Sequence, residues 1–171
     1  VFGKYSEMSL ENMKFINNTA NSMGGAVYAN GGSRNSYKNI TFNGNKASSG
    51  GAIYVHGESQ DTFEDVEFIG NEASGLGGAV LYTDADNIVF EATFKYNRAN
   101  DGAALYIKSK TQNTIVNSQF INNTALLGGI VYVNQVVFIE NSNFTQNDAE
   151  YVIHLDGVNT SGSHVHDSKF D

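Results

Sequence analysis

The chain has no cysteine, no proline and no tryptophan, and it carries ten lysines and arginines against eighteen aspartates and glutamates. The missing cysteines exclude disulfides and thiolate metal sites but leave the compartment open. The shortage of cations, a formal net charge of −8, argues against nucleic acid as a partner, because phosphate binding needs clustered Lys and Arg. No run of about 18 apolar residues occurs, so no segment would cross a membrane as a helix.

What the chain does have is glycine (18), asparagine (22), eleven phenylalanines and nine tyrosines. Gly and Asn at such levels often mean disorder, but 40% hydrophobic residues supply enough apolar surface for 171 residues to fold as one domain, residues 1–171. The residues are also periodic. Phe15, Phe42, Phe68, Phe94, Phe120, Phe144 and Phe170 recur at spacings of 27, 26, 26, 26, 24 and 26. Three residues after the first six comes Asn (18, 45, 71, 97, 123, 147), and five after comes Ala (20, 47, 73, 99, 125, 149). Five before each Phe stands an apolar residue: Leu10, Tyr37, Phe63, Val89, Ile115, Ile139 and Val165. Three before stands Asn, Asp or Glu, and one before is always polar.

Strand periodicity gives this pattern a physical meaning. Positions 0 and −2 share one face and −1 the other, so Phe points inward and its polar neighbour outward. Position −5 has the wrong parity for a straight strand, so the Asn, Asp or Glu at −3 marks a corner. A second corner is expected at the recurring Asn, with Ala beside it leaving room for stacking. A third strand follows the Gly pair, as in Ala26-Val27-Tyr28 and Ala52-Ile53-Tyr54. Three short strands in each repeat of about 26 residues predict an all-β parallel β-helix of roughly six coils, with variable loops after each Tyr. One coil cannot bury its apolar face alone; stacked coils can, at about 4.8 Å per rung. The phrase restarts at Phe170, and neither terminus has the pattern of a cap. The expectation is a segment of a longer solenoid, or a unit that stacks end to end on copies of itself.

The pairing of Phe-x-x-Asn with Gly-Gly-Ala-aliphatic resembles the repeats of chlamydial polymorphic outer membrane proteins. It is carried by Phe15/Asn18 with Gly24-Gly25-Ala26-Val27, Phe42/Asn45 with Gly50-Gly51-Ala52-Ile53, and Phe68/Asn71 with Gly77-Gly78-Ala79-Val80. Two later copies degrade, to Gly102-Ala103-Ala104-Leu105 and Gly128-Gly129-Ile130-Val131. The resemblance implies a β-helical passenger displayed at the cell surface, often adhesive.

Candidate contact residues follow from register. Tyr28, Tyr54, Tyr82, Tyr106 and Tyr132 end successive third strands, and alternation sends them outward as a column. Such a column would either bind sugar rings or a partner, or stabilise the sheet by stacking. Five glycosylation sequons occur, at Asn17, Asn39, Asn122, Asn143 and Asn159. Asn39 occupies the structural −3 corner, which leaves Asn17, Asn122, Asn143 and Asn159 as acceptors if the chain is secreted by a eukaryote. Carboxylates crowd at Asp84 and Asp86 and at Asp61, Glu64, Asp65 and Glu67. No Lys or Arg stands close to them in sequence, so no catalytic residue is assigned. His164 and His166 share a strand face, two ligands without a third, so no metal is assigned, and no cofactor motif occurs.

These features predict a non-catalytic extracellular or cell-surface protein, a rigid stalk, adhesin segment or fibre subunit. Its expected partners are further coils or copies end to end, with surface glycans or proteins on its flanks. The alternative is a carbohydrate-binding or polysaccharide-cleaving protein.

Overall fold

The computed structural model describes residues 1–4, 7–31, 34–157 and 160–171. Every strand pairing is parallel and joins residues about one repeat apart, as Phe42 to Phe68 and Tyr28 to Tyr54. Three sheets result. The first holds one strand from each coil, including Val27–Asn30, Ile53–His56, Val80–Ala85, Leu105–Ser109, Gly129–Val133 and Tyr151–Leu155. The second holds the Phe strands, beginning with the bent Ser9–Ile16, Ser36–Asn43 and Thr62–Ile69. The third is a narrow ladder through Lys46–Ala47, Glu72–Ala73, Arg98–Ala99 and Thr124–Ala125.

The expected inward residues fill the lumen. From Phe15 to Phe170 the rings stack face to face, with centroids 4.4–5.0 Å apart and planes within 9° of parallel. Tyr37, Phe63 and Phe90 form a second stack at 4.5 and 4.6 Å. The recurring Asn is a ladder. Each Oδ1 accepts from both the backbone N–H and the Nδ2 of the Asn one coil earlier, at 2.8–3.0 Å. The remaining amide hydrogen goes to the carbonyl of the preceding coil's Phe, as from Asn71 to Phe42 at 3.0 Å. Asn45, Asn71, Asn97 and Asn123 are fully buried with their amide hydrogens used, as burial demands.

The corners sharpen and correct the sequence reading. Asn12, Asn39, Asp65, Asn117, Asn141 and Asp167, all at −3, adopt left-handed backbone. Glu91 does not, because its coil is one residue short: Phe90, at −4, pairs with Phe63, and the register shifts between Phe90 and Ala92. The inward residue there is therefore Phe90, fully buried, and not Val89. The second corner turns one residue earlier than expected, at +2, where Asn17, Gly44, Gly70, Tyr96, Asn122 and Gln146 are left-handed. In the later coils the Phe strand splits in two, as at Asn113–Val116 and Gln119–Ile121. Ser118, Ser142 and Ser168 stand at −2 there. Their hydroxyls accept the backbone N–H of Ala92, Ser118 and Ser142 and donate to the carbonyl two residues back, stitching the corner with side chains.

The two glycines of each pair do different work. Gly24, Gly50, Gly77 and Gly102 are left-handed, whereas Gly51 is where coils touch: a Cβ there would collide with the carbonyl oxygens of Gly78 and Glu72. Three substitutions separate these roles in denaturant unfolding. Phe68→Ala leaves a cavity in the ring stack and should cost about 3–5 kcal/mol. Gly70→Ala meets no atom within 4 Å and should cost only its left-handed backbone, about 1–2 kcal/mol. Gly51→Ala must push coils apart and should cost more than Gly70→Ala; the reverse order would refute close packing at the second glycine.

Candidate functional site

The outer face of the first sheet carries the tyrosine column in modified form. Tyr28 and Tyr54 stack at 5.4 Å and are half-buried. Tyr106 and Tyr132 stack at 4.1 Å and retain only 6% and 5% exposure, in a small apolar cluster with Leu81 against which Tyr54 and Leu76 pack. Most of this column thus stabilises the sheet from outside, and only its Tyr28–Tyr54 end offers ring surface. The Tyr132 hydroxyl donates to Asp156 at 2.9 Å. Burial, then that bond, raise its pKa well above the usual tyrosine range, so the hydroxyl keeps its proton and stays a donor.

Tyr82 departs from the expectation. Leu81 pairs with both Tyr54 and Tyr106, and Tyr82 lies opposite Val55 and Ile107 in the inward row. The turn from Ala73 to Gly77 is one residue longer than that from Ala47 to Gly50, but the Gly pair still sets the register. Counting from Gly77-Gly78 puts Leu81, not Tyr82, in the column. Tyr82 is fully buried, its ring edge-on to Phe63 and Phe90, and its hydroxyl donates to Asp61 at 2.7 Å.

Asp61 is therefore a lumen residue and not part of a surface carboxylate cluster. It is buried, and it accepts from the backbone N–H of Asn35 at 2.9 Å and from the Asn35 amide at 3.0 and 3.1 Å. These donors, from Asn35 and Tyr82, are all neutral. Desolvation raises its pKa above the usual carboxylate value, outweighing these bonds. The Tyr37 hydroxyl is buried nearby without a hydrogen-bond partner among the described residues, and burial and the Asp61 charge raise its pKa further.

Two depressions lie on the surface among the described residues. A groove of about 330 Å³ crosses the bend of the Phe strands and is lined by Asn39, Thr41, Asp65, Glu67, Glu91, Thr93 and Asn117 among others. Asp65 and Glu67 sit on one rung and Glu91 on the next, so carboxylates alternate with hydroxyls and amides along it. Asn39 donates to Asn12 at 2.6 Å and Asn117 to Glu91 at 3.3 Å. Such a lining can hydrogen-bond a hydroxyl-rich chain laid along the rungs. The second depression, about 340 Å³, lies where the loops after the first sheet meet, at Asn30, Gly31, His56, Gly57, Glu58, Asp84 and Lys110. His56 Nδ1 is 2.7 Å from Thr83 Oγ1 and 4.0 Å from Asp84. Lys110 reaches back two coils to Glu58 at 2.9 Å, and Glu58, then Asp84 and Asp86, raise its pKa. A cation does therefore stand beside Asp84 and Asp86, brought there by stacking and distant in sequence.

A family model described as a right handed beta helix region matches residues 6–170. The chain belongs to that family. Comparison with curated proteins and with solved structures returned no match. The right-handed β-helix family includes both enzymes and non-enzymes, so membership leaves the chemistry to the surface residues. On this β-helix, Asn17 is exposed and Asn122 half-buried, both at left-handed corners. Asn143 is half-buried and donates to Gln119 at 3.3 Å; Asn159 lies outside the described residues. His164 and His166 are exposed, 6.1 Å apart between ring centres, and His166 contacts Asp167 at 3.0 Å.

The Asp61 group makes stability depend on pH. Its folded pKa is raised, so the folded state holds the proton more tightly than the unfolded chain does. The resulting stabilisation is complete below the unfolded value, 3.8, and is lost as pH rises through the folded value. Asp61→Asn keeps an acceptor for Asn35 and lets the Tyr82 hydroxyl accept. Unfolding midpoints measured upward from about pH 4 should fall less in Asp61→Asn than in the parent chain; parallel curves would contradict the assignment.

Proposed function

We propose that this β-helix is a non-catalytic extracellular structural and interaction protein: a rigid surface stalk, adhesin segment or fibre subunit. One observation carries the proposal. The Asn ladder and the Phe stack run unbroken from coil to coil, so each outward side chain is held at a spacing set by the rungs. A partner meets a fixed array, and the same parallel pairing suits further coils or neighbouring copies end to end. The resemblance to surface-displayed repeats and the accessible sequons support the extracellular location. Surface glycans or proteins are the partners on the flanks, met at the Tyr28–Tyr54 end of the column and at the corners.

The acid-lined groove favours a second reading, a carbohydrate-binding or polysaccharide-cleaving β-helix, with Glu67 and Glu91 on adjacent rungs as the acids. One experiment separates the two. The chain is incubated with a panel of neutral and uronate-containing polysaccharides, and both retention and new chain ends are measured. Retention of intact polymer is the outcome expected. New ends that vanish in Glu67→Gln or Glu91→Gln would establish cleavage and overturn the non-catalytic reading.

The sequons give an independent check. In a eukaryotic secretory host, peptide mass spectrometry should find glycan at Asn17 and Asn122, and lower occupancy at Asn143, whose amide is already engaged. Equal occupancy at all three would show that the Asn143–Gln119 bond does not limit access.

A further inference from the structure

At the +2 corner two successive coils use glycine, Gly44 and Gly70, and two others use asparagine, Asn17 and Asn122. These are the residue types that tolerate left-handed backbone. The fourth coil has Tyr96 at φ 57° and the sixth Gln146 at φ 54°; of the two, Tyr96 is the aromatic, a bulky ring where the fold would accept glycine. Packing does not explain it, because the ring is 59% exposed. The hydrogen bond at this corner, from Tyr96 N–H to the Ile121 carbonyl at 3.0 Å, needs no side chain. Strain kept for an exposed ring points to a role for the ring.

The surroundings define that role. Lys95 lies on the outward face in register with Ile69 and Ile121. Arg98 is exposed on the other flank of the apex, and neither cation enters an ion pair among the described residues. Glu72, opposite Arg98 on the preceding rung, is held by Lys46 at 2.8 Å. At the same corner one coil earlier, Gly70 faces open space: a Cβ built there would meet nothing within 4 Å. A flat exposed ring, a bare position one coil earlier and two cations outside any described ion pair thus share one corner of a chain of net charge −8.

We infer that this corner binds an acidic sugar of a surface glycan, its C–H face stacked on Tyr96 and its carboxylate or sulfate paired with Arg98 and Lys95. The inference rests on the contact role proposed above and supplies its ligand class. A ridge one side chain wide is too small for a stable protein interface, which needs about 800 Å² per partner around a buried anchor. One sugar ring needs only the aromatic face and charge-assisted bonds.

The test is retention on immobilised uronate-containing and sulfated polysaccharides and on their neutral, carboxyl-reduced and desulfated counterparts, at low and physiological salt. The parent chain should be retained on one or both anionic polymers and not on the neutral ones, and the two anionic arms distinguish carboxylate from sulfate. Tyr96→Gly should unfold at an equal or higher temperature yet lose retention tenfold or more. Arg98→Gln and Lys95→Gln should each weaken it several-fold and reduce its salt dependence. Equal retention on neutral polymers, none on either anionic polymer, capture of polyglutamate alone, or Tyr96→Gly within twofold of the parent would each overturn the inference. Recovering the polymer intact tests the non-catalytic reading separately. Cleavage with retention still dependent on Tyr96 would remove that reading and leave this site standing.

Discussion

The structure depends on the fact that no coil can satisfy its own corner. Each buried Asn takes two hydrogen bonds from the coil before it, sends two forward from its backbone N–H and its amide, and sends one back. Breaking one link would strand a buried amide and a buried backbone group, each costing about 1–3 kcal/mol. The Phe rings add contact at the same spacing, because parallel rungs about 4.8 Å apart bring identical side chains within stacking distance. Amide ladder and ring stack therefore fix the same repeat, and stability is shared between neighbouring coils.

That shared spacing explains why local irregularities stay local. The coil containing Phe90 is one residue short at its first corner, and the turn before Gly77 is one residue long. Both ladders pass through undisturbed, since Phe68 still meets Phe94 and Asn71 still meets Asn97. What changes is which side chains face outward. One more residue between the Gly pair and the tyrosine seats Leu81 in the tyrosine column and sends Tyr82 inside, where its hydroxyl meets Asp61. Small insertions in such a fold exchange surface for core without altering the rod.

The core was legible in sequence because its determinants recur: Phe, Asn and Ala at fixed offsets need only counting. The corner residues at −3 were legible for the same reason. Tyr82 was misplaced because its neighbourhood looks like the others unless the count starts from the glycine pair. The serine stitching at Ser118 and Ser142 was hidden, because serine at −2 breaks the apolar pattern without showing what it binds. The Asp61 group and the approach of Lys110 to Glu58 join residues one to two coils apart. Such contacts depend on the exact stacking register, which repeat spacing gives only on average.

Surface chemistry follows from the same division. Positions that touch the neighbouring coil are held to Asn, Phe, Ala or Gly, and outward positions vary freely from coil to coil. The left-handed corners lie between these classes: their backbone is constrained, but their side chain points to solvent. Gly44 and Gly70 satisfy the constraint and offer nothing outside. Asn17 and Asn122 satisfy it and present an amide. Tyr96 satisfies it poorly and presents a ring. In a fold whose outward side chains are spaced by rungs, a residue kept against its backbone preference is a sharper sign of contact than any regular column, because a regular column can be explained by stacking alone.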